Sequence, residues 1–470
     1  MTKAVIIGSG LGGLEVALLL AKRGYQVTVL EKQRQLGGCM QSYRRGNIML
    51  DTGLHYVGGL EKDGTLYSQF QELGLMALPW KRMDMDAFEE IHTPNGKYFW
   101  PQGIDNFIHA MQQYFPDQRE GLEKYRILLK CTDEEWMQQT SAWDYINSII
   151  SNPELVDVLS APAMCKMELR RQTLPLFTFV HGTSAFIESS WRLDGDGNML
   201  VECLVRQIRQ YGGEVYANKE VCRLVETDGK VTAAICQDKT CYEADVFISN
   251  VHPAVTLHLL EDSQVIKKIF RRRLVSQENT VGMFTLQLQI KPESVKYLNR
   301  NILVIGQHGV WDNAIEEDYV VKGIMVSFPL ADVIDGYATC IDILTPMSWD
   351  AVKKWEYTQV FNRPDDYKEM KTCVARQCIR MATSVIPELE DSIQCMHSST
   401  PLTYRDYNAS PQGSAFGYRK DFRNPLMTVI SARTPVHNLL LTGQSLMLHG
   451  LHGVTMTAEH TLKSMGVNYN

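Results

Sequence analysis

The sequence lacks a long apolar run. None of its stretches reaches the roughly 18 uninterrupted apolar residues that a membrane-spanning helix requires. The apolar beginning, AVIIGSGLGGLEVALLLAKRG, is interrupted by glycines and by Glu15, is preceded only by Lys3, and is followed by no small-residue cleavage site. It therefore does not have the pattern of a signal peptide. These features predict a soluble, cytoplasmic protein.

The sequence also lacks a basic excess and a metal-binding cysteine pattern. The net charge of the 470 residues is −7, which disfavours nucleic acid as a partner. The eleven cysteines form no CxxC pair and no zinc spacing, so no metal site is predicted and a reducing compartment is indicated. Internal repeats and low-complexity tracts are absent as well. With 44% hydrophobic residues, the chain can bury the cores of about two or three domains.

The beginning of the chain has the pattern of a βαβ unit. Ala4 to Ile7 form a short apolar strand, GSGLGG follows at residues 8–13, and a helical pattern extends from there to Gly24. The second strand, YQVTVL, ends directly before Glu31. A GxGxxG motif between a strand and a helix, with an acid at the end of the next strand, predicts a dinucleotide-binding loop.

The residues of this loop have separate physical roles. Gly8 permits a tight turn, Gly10 lets the backbone approach a pyrophosphate, and Gly13 allows close packing of helix and strand. The helix N-terminus offers unpaired N–H groups to the phosphates. Glu31 is expected to accept hydrogen bonds from the adenosine ribose, and its charge disfavours the 2′-phosphate of NADP. The predicted contacts of this segment are Gly8, Gly10, Leu11, Gly12, Gly13, Glu31 and Lys32.

Two further motifs give this segment a family resemblance. Glu31 is followed by the double glycine Gly37–Gly38 and by Ser42, and DTGLHYVGG occupies residues 51–59. The spacing ExxxxxGGxxxS after GxGxxG resembles the FAD fingerprint of the amine oxidase, phytoene desaturase and GDP-dissociation-inhibitor superfamily. DTGLHYVG is similar to the retinol saturase (all-trans-retinol 13,14-reductase) branch, beside the carotenoid isomerases. The resemblance implies FAD as the cofactor, with Gly37, Gly38 and Ser42 among its contacts.

A second glycine-rich turn lies near the other end of the chain. NLLLTGQSLMLHGLHGVTMTAEH, residues 438–460, has the pattern of a strand, a tight turn and a helix that begins near Val454. NLLLTGQ and GLHGV are similar to the closing motif of the retinol saturase branch, which implies that this turn cradles the flavin ring. The helix dipole would stabilise the negative charge of a reduced flavin, and Gly450 and Gly453 would admit the ring closely. The predicted contacts are Gly443, Gln444, Gly453 and Val454.

The middle of the chain completes the predicted cofactor domain. GDGN at residues 195–198 opens a helix where the family usually has a double glycine, and three strands are predicted within residues 212–250. Asp228–Gly229 is a strong hairpin signal between two of these strands. The resemblance implies that the strand near Val221 contacts the adenine.

The whole pattern predicts an α/β fold, in which a Rossmann-type FAD-binding domain is interleaved with an α+β substrate domain. Residues 65–189 are mainly helical in pattern, whereas 261–399 contain strand patterns and one helix around 365–384. Alternation at residues 280–290 predicts a mixed or antiparallel sheet with one wet face, roofed by helices. The FAD-binding domain is predicted at residues 1–64, 190–260 and 400–470, and the substrate domain at 65–189 and 261–399.

The resemblance implies an oxidoreductase that transfers hydride between flavin N5 and a carbon–carbon double bond of a long apolar isoprenoid, retinoid or carotenoid-like substrate. Saturation is favoured, with desaturation and isomerisation as alternatives. NAD(P)H, a partner protein and a quinone remain open as electron sources. His55 and Tyr56 are the first choice for polar groups near the ring, as a proton donor or as orienting groups. TPLTYRDYNASPQGSAFGY, residues 400–418, resembles the same branch and is expected to face the substrate.

Other interpretations stay open from the residues. A flavin amine or porphyrinogen oxidase would react with oxygen, whereas a prenyl-group carrier of the GDP-dissociation-inhibitor type would bind no FAD. His449 and His452 are favoured as packing or surface residues, with a role lining the flavin or substrate end as the alternative; metal binding is disfavoured because their HxxH lies in a turn and not on a helix face. The basic residues of the segment 267–273 could form a membrane-facing patch on a helix, which would add peripheral membrane contact to the cytoplasmic prediction.

Overall fold

A computed structural model describes residues 1–46, 48–330 and 333–467 of the chain. Residues 468–470, at the end of the predicted FAD-binding segment, lie outside the described residues, as do 47 and 331–332. The strands, in chain order, are β1 Lys3–Ile7, β2 Gln26–Leu30, β3 Ser42–Arg45, β4 Ile48–Asp51, β5 Val57–Gly58, β6 Trp80–Arg82, β7 Glu89–His92, β8 Lys97–Trp100, β9 Ser190–Leu193, β10 Glu214–Tyr216, β11 Val221–Thr227, β12 Lys230–Cys236, β13 Cys241–Glu243, β14 Val246–Ser249, β15 Gly282–Ile290, β16 Asn301–Ile305, β17 Gly323–Ser327, β18 Cys340–Met347, β19 Ile393–Ser399 and β20 Leu439–Leu441.

Helices fill most of the intervals between these strands. They are α1 Leu11–Lys22, α2 Tyr67–Glu72, α3 Ile104–Tyr114, α4 Arg119–Leu129, α5 Glu134–Gln138, α6 Ala142–Ile149, α7 Pro153–Ser160, α8 Leu176–His181, α9 Ser184–Glu188, α10 Asn198–Gln210, α11 Pro253–His258, α12 Lys268–Val275, α13 Asp365–Thr383, α14 Leu389–Ser392, α15 Pro401–Asn408, α16 Pro425–Thr428 and α17 Gly450–Ser464. Short 3-10 turns occur at Gly38–Met40, Leu75–Ala77, Pro116–Gln118, Ala161–Cys165, Lys353–Trp355 and Pro411–Gly413.

A five-stranded parallel sheet brings both ends of the chain together. Its order is β10-β2-β1-β14-β20, and α1 packs against both α10 and α17. The register aligns Ile7 with Leu30 and Ser249, and Ser249 with Leu441. The carboxyl ends of four strands therefore share one edge, which is where open parallel sheets bind ligands. The predicted Rossmann-type α/β fold is confirmed.

The segment 212–250 contains more strands than the sequence predicted. Five strands, β10 to β14, replace the three expected, because β10 and β14 join the parallel sheet while β11, β12 and β13 form a separate antiparallel sheet. The Asp228–Gly229 turn between β11 and β12 has positive φ at both residues, 50° and 75°, as its hairpin signal predicts.

A mixed seven-stranded sheet forms the other large layer. Its order is β19-β15-β18-β17-β16-β7-β8, with a parallel pairing between β16 and β7 and antiparallel pairings elsewhere. Phe284, Leu286 and Leu288 of β15 pack on one face with the apolar side of α13. The opposite face carries Met283, which joins the core of the helices between residues 104 and 188.

The predicted wet face of β15 is wrong. Of its nine residues, only Gln289 is not buried, although apolar and polar side chains alternate as the sequence indicates. Its polar residues Thr285 and Gln287 line a cleft between this sheet and the segments that pack over it, which is why that side of the strand is buried. Alternation indicates that the two faces of a strand differ. Here the polar face of β15 lines a cleft and does not form an open protein surface.

The structure adds detail to two further predictions, the start of the last helix and the basic segment 267–273. Helix α17 begins at Gly450, which is one turn earlier than the predicted start near Val454. In the basic segment, the Arg271 guanidinium donates to the carbonyls of Leu257 and Leu260, at 2.6 and 2.7 Å, and so caps α11. Within residues 1–46, 48–330 and 333–467, no helix has the length and apolarity needed to cross a membrane.

Candidate functional site

A groove of about 360 Å³ runs along the shared edge of the parallel sheet. We call it the dinucleotide groove. Residues that follow each of the four aligned strands line it: Gly8 after β1, Glu31 after β2, Asn250 after β14 and Thr442 after β20. Segments from opposite ends of the sequence therefore form its walls.

The glycine loop has contacts that only glycine permits. A Cβ atom on Gly13 would lie 2.2 Å from the Gly8 carbonyl oxygen, so the helix packs directly on the turn. A Cβ atom on Gly12 would lie 3.0 Å from Val454 Cγ1 and 3.3 Å from the Gly443 Cα. The loop after β1 thus touches both the turn after β20 and the first turns of α17, which fixes the width of the groove at this point.

Asn250 lies between the two loops, and no sequence motif predicted it as a site residue. Its Nδ2 lies 3.5 Å from the Gly8 carbonyl and would lie 2.9 Å from a Cβ atom on Gly10. Its Oδ1 would lie 2.7 Å from a Cβ atom on Gly443. The available signal was its position directly after a buried strand, since asparagine at such an edge can bond to neighbouring backbone.

Glu31 is buried at the end of β2, with 7% of its surface exposed, and lines the groove. Its Oε2 accepts hydrogen bonds from the Ser9 N–H at 2.9 Å and the Ser9 hydroxyl at 2.7 Å, while Oε1 accepts from the Gln33 N–H at 2.9 Å. The carboxylate therefore orders the glycine loop as well as presenting acceptors to the groove.

The groove brings together most of the residues predicted to bind the cofactor. Gly13, Ser42 and Gly453 do not line it. Ser42 instead bonds Asp51 Oδ1 at 2.7 Å, and Gly453 packs against Leu448, whose carbonyl carbon a Cβ atom would approach to 2.4 Å. The predicted residues that line it are Gly8, Gly10, Leu11, Gly12, Glu31, Lys32, Gly37, Gly38, Val221, Gly443, Gln444 and Val454.

Of the two predicted catalytic residues, His55 lines the groove and Tyr56 does not. His55 Nδ1 lies 3.5 Å from Oδ2 of Asp342, a residue of β18 that is 1% exposed. Asp342 is paired with Gln287 across β15 and β18, so both side chains lie on the sheet face that points toward the groove. No sequence motif predicted Asp342 as a site residue. Its signal was a lone carboxylate within the otherwise apolar CIDIL.

Tyr56 belongs to a buried polar cluster next to the groove. Its hydroxyl donates to the Glu89 carboxylate, and the Lys166 ammonium lies 3.8 Å from the same carboxylate. Burial lowers the pKa of Lys166 to about 8 and raises the pKa of Glu89. The Lys166 ammonium also lies 3.8 Å from the centroid of the Phe186 ring, a cation–π contact. The hydrogen bonds within this cluster satisfy its polar atoms only in part. The cluster is therefore a group of polar side chains inside an otherwise apolar core.

The paired histidines of the closing turn are half-buried, and each lies against another segment of the chain. His449 Nε2 lies 2.7 Å from the Lys166 carbonyl oxygen, and the His452 ring lies 6.0 Å from that of His181. Burial lowers the pKa of both His449 and His452 to about 4. In the described part of the chain, no group of three or more His, Cys, Asp or Glu residues could hold a metal ion.

A second cavity, of about 1120 Å³, adjoins the dinucleotide groove. Strands β15 and β19, helices α13 and α15 and the loop before β3 form its walls. Tyr404, Tyr407 and Asn408 line both cavities, and Ala415 and Phe416 line the groove beyond them. The segment 400–418 therefore lies at the junction of the two spaces.

Lys420 anchors the turn that follows β20. Its ammonium donates to the carbonyls of Thr428, Ser445 and Leu446 at 2.9, 2.8 and 3.0 Å, and the residue is 7% exposed. Replacing it by methionine removes the donor of the Thr428 and Ser445 carbonyls, whereas the Leu446 carbonyl still accepts from the Ile430 N–H, and we expect a loss of about 2 to 3 kcal/mol in the free energy of unfolding. Urea denaturation measures this loss. Lys124→Met, on the exposed side of α4, is the control, and equal midpoints for the two variants would contradict the anchoring role.

Comparisons with known proteins agree with this architecture. Residues 6–73 match the family described as an NAD(P)-binding Rossmann-like domain. All-trans-retinol 13,14-reductase from Danio rerio is 24% identical over an alignment that covers 99% of this chain and 86% of that protein. Prolycopene isomerase 1 from an Oncidium hybrid cultivar is 20% identical, covering 94% and 80%. The neurosporene-forming phytoene desaturase of Rhodobacter capsulatus is 24% identical, covering 88% and 84%.

Solved structures show the same fold over the full chain. An oxidoreductase from Methanosarcina mazei superposes with a TM-score of 0.66 at 16% identity, covering 98% of this chain and 100% of that one. Cyclohexylamine oxidase from Brevibacterium oxydans superposes with a TM-score of 0.64 at 12% identity, covering 99% and 98%. At these identities the likeness concerns the fold. The chain is thus a homologue of the all-trans-retinol 13,14-reductases, prolycopene isomerases and phytoene desaturases, and it carries a Rossmann-type dinucleotide-binding domain, as its motifs predict.

Proposed function

We propose that this protein is an FAD-dependent oxidoreductase that acts on a carbon–carbon double bond of an apolar, isoprenoid-like substrate, with saturation as the favoured reaction. The observation that carries the proposal is the single groove walled by both ends of the chain, because an extended dinucleotide needs a phosphate site and a distant ring site in one continuous space. The names of the full-length relatives support the substrate class and the bond.

The residues of the groove fit FAD. The Glu31 carboxylate suits the ribose, and the N-terminus of α1 suits the diphosphate. At the other end, the hydroxyls of Ser414 and Thr442 line the groove, are buried, and have no hydrogen-bond partner within the described residues. Buried hydroxyls without partners are costly unless a ligand satisfies them. FAD, when bound, would supply hydride chemistry at its ring, while the protein supplies orientation and a dry environment.

His55 is the residue of this chain best placed to move a proton. It lines the groove, and Asp342 beneath it fixes one ring nitrogen, so that the other nitrogen can face a substrate. Saturation needs one proton for each hydride, and a histidine held by a buried carboxylate is a common proton donor. Met283, Leu344 and Phe416 also line the groove and give it an apolar wall.

The Glu31 assignment can be tested directly. Glu31→Ala removes the expected ribose acceptor and also releases Ser9 and Gln33, so we expect the Kd for FAD to rise at least about tenfold. Fluorescence titration of the apoprotein measures the Kd. Glu214→Gln, on the exposed edge of β10, is the control. An unchanged Kd in Glu31→Ala would show that the carboxylate does not contact the cofactor.

The function itself is tested by loading the purified protein with FAD, reducing it anaerobically with NADPH, NADH or dithionite, and adding retinoids, carotenoid precursors and steroids in turn. The expected result is a bound flavin spectrum and a product heavier than its substrate by two hydrogens. Rapid peroxide formation with an amine and no such product would favour the amine-oxidase alternative. A protein that takes up no FAD would contradict the proposal and favour a prenyl-group carrier.

A further inference from the structure

The second cavity is unusually cationic for a space next to an apolar-substrate site. Five basic residues line it against two acidic residues. The basic residues are Arg34, Arg45, Arg363, Lys368 and Lys371, and the acidic residues are Asp51 and Asp406. Charges in a concave, partly desolvated space act strongly on a ligand, because the surrounding protein screens them poorly.

The two acidic residues offset only part of this charge, and both already have partners within the protein. Asp406 is bound by the guanidinium groups of both Arg363 and Arg405. Asp51 accepts hydrogen bonds from the Ser42 hydroxyl at 2.7 Å and the Gly197 N–H at 2.8 Å, and burial raises its pKa to about 6. The carboxylates of this cavity are therefore already satisfied by the protein, and one of them is partly neutral near pH 6.

Three of the cations, Arg34, Arg45 and Lys371, have no carboxylate partner in the described part of the chain. The Lys371 ammonium, half-buried on α13, donates to the Ser398 carbonyl at 2.6 Å. The Arg45 guanidinium lies 5.1 Å from the centroid of the Tyr43 ring and 3.4 Å from the Arg44 carbonyl. A half-buried ammonium with one neutral acceptor is left with donors that a ligand anion can take.

The positive groups of this cavity lie close enough to lower the pKa of their neighbours. Burial and the neighbouring Arg363 lower the pKa of Lys371 to about 8. Burial, Arg45 and Lys371 lower the pKa of His397, which lies opposite Gln287 on the adjoining strand. Arg45 of β3 and the segment 363–371 therefore direct cations into one space, and an anion there would relieve their repulsion.

We infer that the second cavity binds the anionic end of an amphipathic substrate, a carboxylate or a phosphate, whose apolar chain passes Tyr404 into the dinucleotide groove. The inference rests on the proposed function and narrows its substrate class. Tyr404 and Thr52 line both spaces, so a continuous molecule can occupy the two at once. A pure hydrocarbon offers these cations no partner, and it would take water from the half-buried Lys371 ammonium without replacing its hydrogen bonds, which is unfavourable.

The test compares matched ligands on the FAD-loaded protein. Calorimetry gives the Kd of all-trans-retinoic acid against all-trans-retinol, and of geranylgeranyl diphosphate against geranylgeraniol. We expect at least one anionic ligand to bind tenfold or more tightly than its alcohol. The pair with the larger ratio of Kd values identifies carboxylate or phosphate as the recognised group. Equal binding of acid and alcohol in both pairs would overturn the inference.

Variants of the cavity residues test whether these cations cause the preference for the anionic ligand. Lys371→Met combined with Arg45→Met should abolish the preference for the anion, and each single variant should reduce it at least threefold. The control is Lys124→Met with Arg119→Met, two exposed residues of α4, which should keep the preference. If the double variant does not fold, the single variants and Lys371→Arg, which keeps the charge, decide the question. A preference that survives the single variants, or a loss of bound FAD in them, would overturn the inference.

These outcomes are separable from failure of the proposed function. A flavin-loaded protein that adds two hydrogens to neutral substrates alone would contradict the anion site and leave the function standing. A protein without flavin that still prefers the anions would contradict the function and leave the cation cluster standing as a binding site.

Discussion

Replacing Glu15 by glutamine is expected to stabilise the protein by about 4 kcal/mol at pH 8 and to have little effect near pH 4.5. Glu15 lies on α1 and is 0% exposed, with its Oε1 accepting from the Thr455 hydroxyl of α17 at 2.8 Å and no partner for Oε2 in the described part of the chain. Burial raises its pKa from 4.5 to about 8, with a further contribution from Glu459.

The sign follows from proton binding. Between pH 4.5 and 8 the folded protein keeps a proton on Glu15 that the unfolded chain releases, so the free energy of unfolding falls as the pH rises through this window. Glutamine has the same shape and cannot ionise, so it removes this loss. Urea denaturation at pH 5, 6, 7 and 8 measures both proteins. The exposed Glu202→Gln on α10 is the control, and parallel curves for wild type and Glu15→Gln would contradict the argument.

Replacing His55 by glutamine is expected to lower the rate of substrate reduction by about 10²-fold to 10³-fold, the usual contribution of a positioned general acid. The residue lines the dinucleotide groove at the end occupied by Met283 and Leu344, where the substrate is proposed to react. Binding of FAD should be unchanged, since His55 makes no contribution to the glycine loop. Stopped-flow reoxidation of the reduced protein by substrate measures the rate without the influence of product release.

Two companion variants separate proton transfer from packing. Asp342→Asn is a change in a positioning residue and should shift the pH profile of kcat while leaving KM nearly unchanged, because it alters the preferred proton position on His55. Tyr56→Phe should have the smaller effect on rate, since Tyr56 bonds Glu89 outside the groove. Full activity in His55→Gln would remove His55 from the mechanism, and a larger loss in Tyr56→Phe would assign the role to the buried cluster.

The features that the sequence predicted well are those encoded within a few neighbouring residues. The turn at Gly8–Gly13, the acid at the end of β2 and the hairpin at Asp228–Gly229 each depend on local backbone geometry, which residue type restricts directly. The same holds for the helix predicted around 365–384, which the structure places at Asp365–Thr383. Its apolar spacing is a property of one segment.

The features that the sequence missed depend on which segments become neighbours. Asp342 lies far from His55 in the chain, and Asn250 acquires its role only because β14 stands between β1 and β20. The wet face predicted for β15 failed for the same reason: alternation indicates that its two faces differ, and only the covering layer decides whether the polar face meets water or a cavity.

By itself, the sequence determined the dinucleotide loop, the closing glycine turn and the resemblance that the full-length relatives confirm, because backbone conformation and side-chain period are local quantities. Only the tertiary structure decided that Gly12 touches Gly443, that His55 meets Asp342, and that Arg45 and Lys371 direct their charges into one cavity. Electrostatic and packing energies depend on distance in space, and distance along the chain does not fix that distance until the fold has formed.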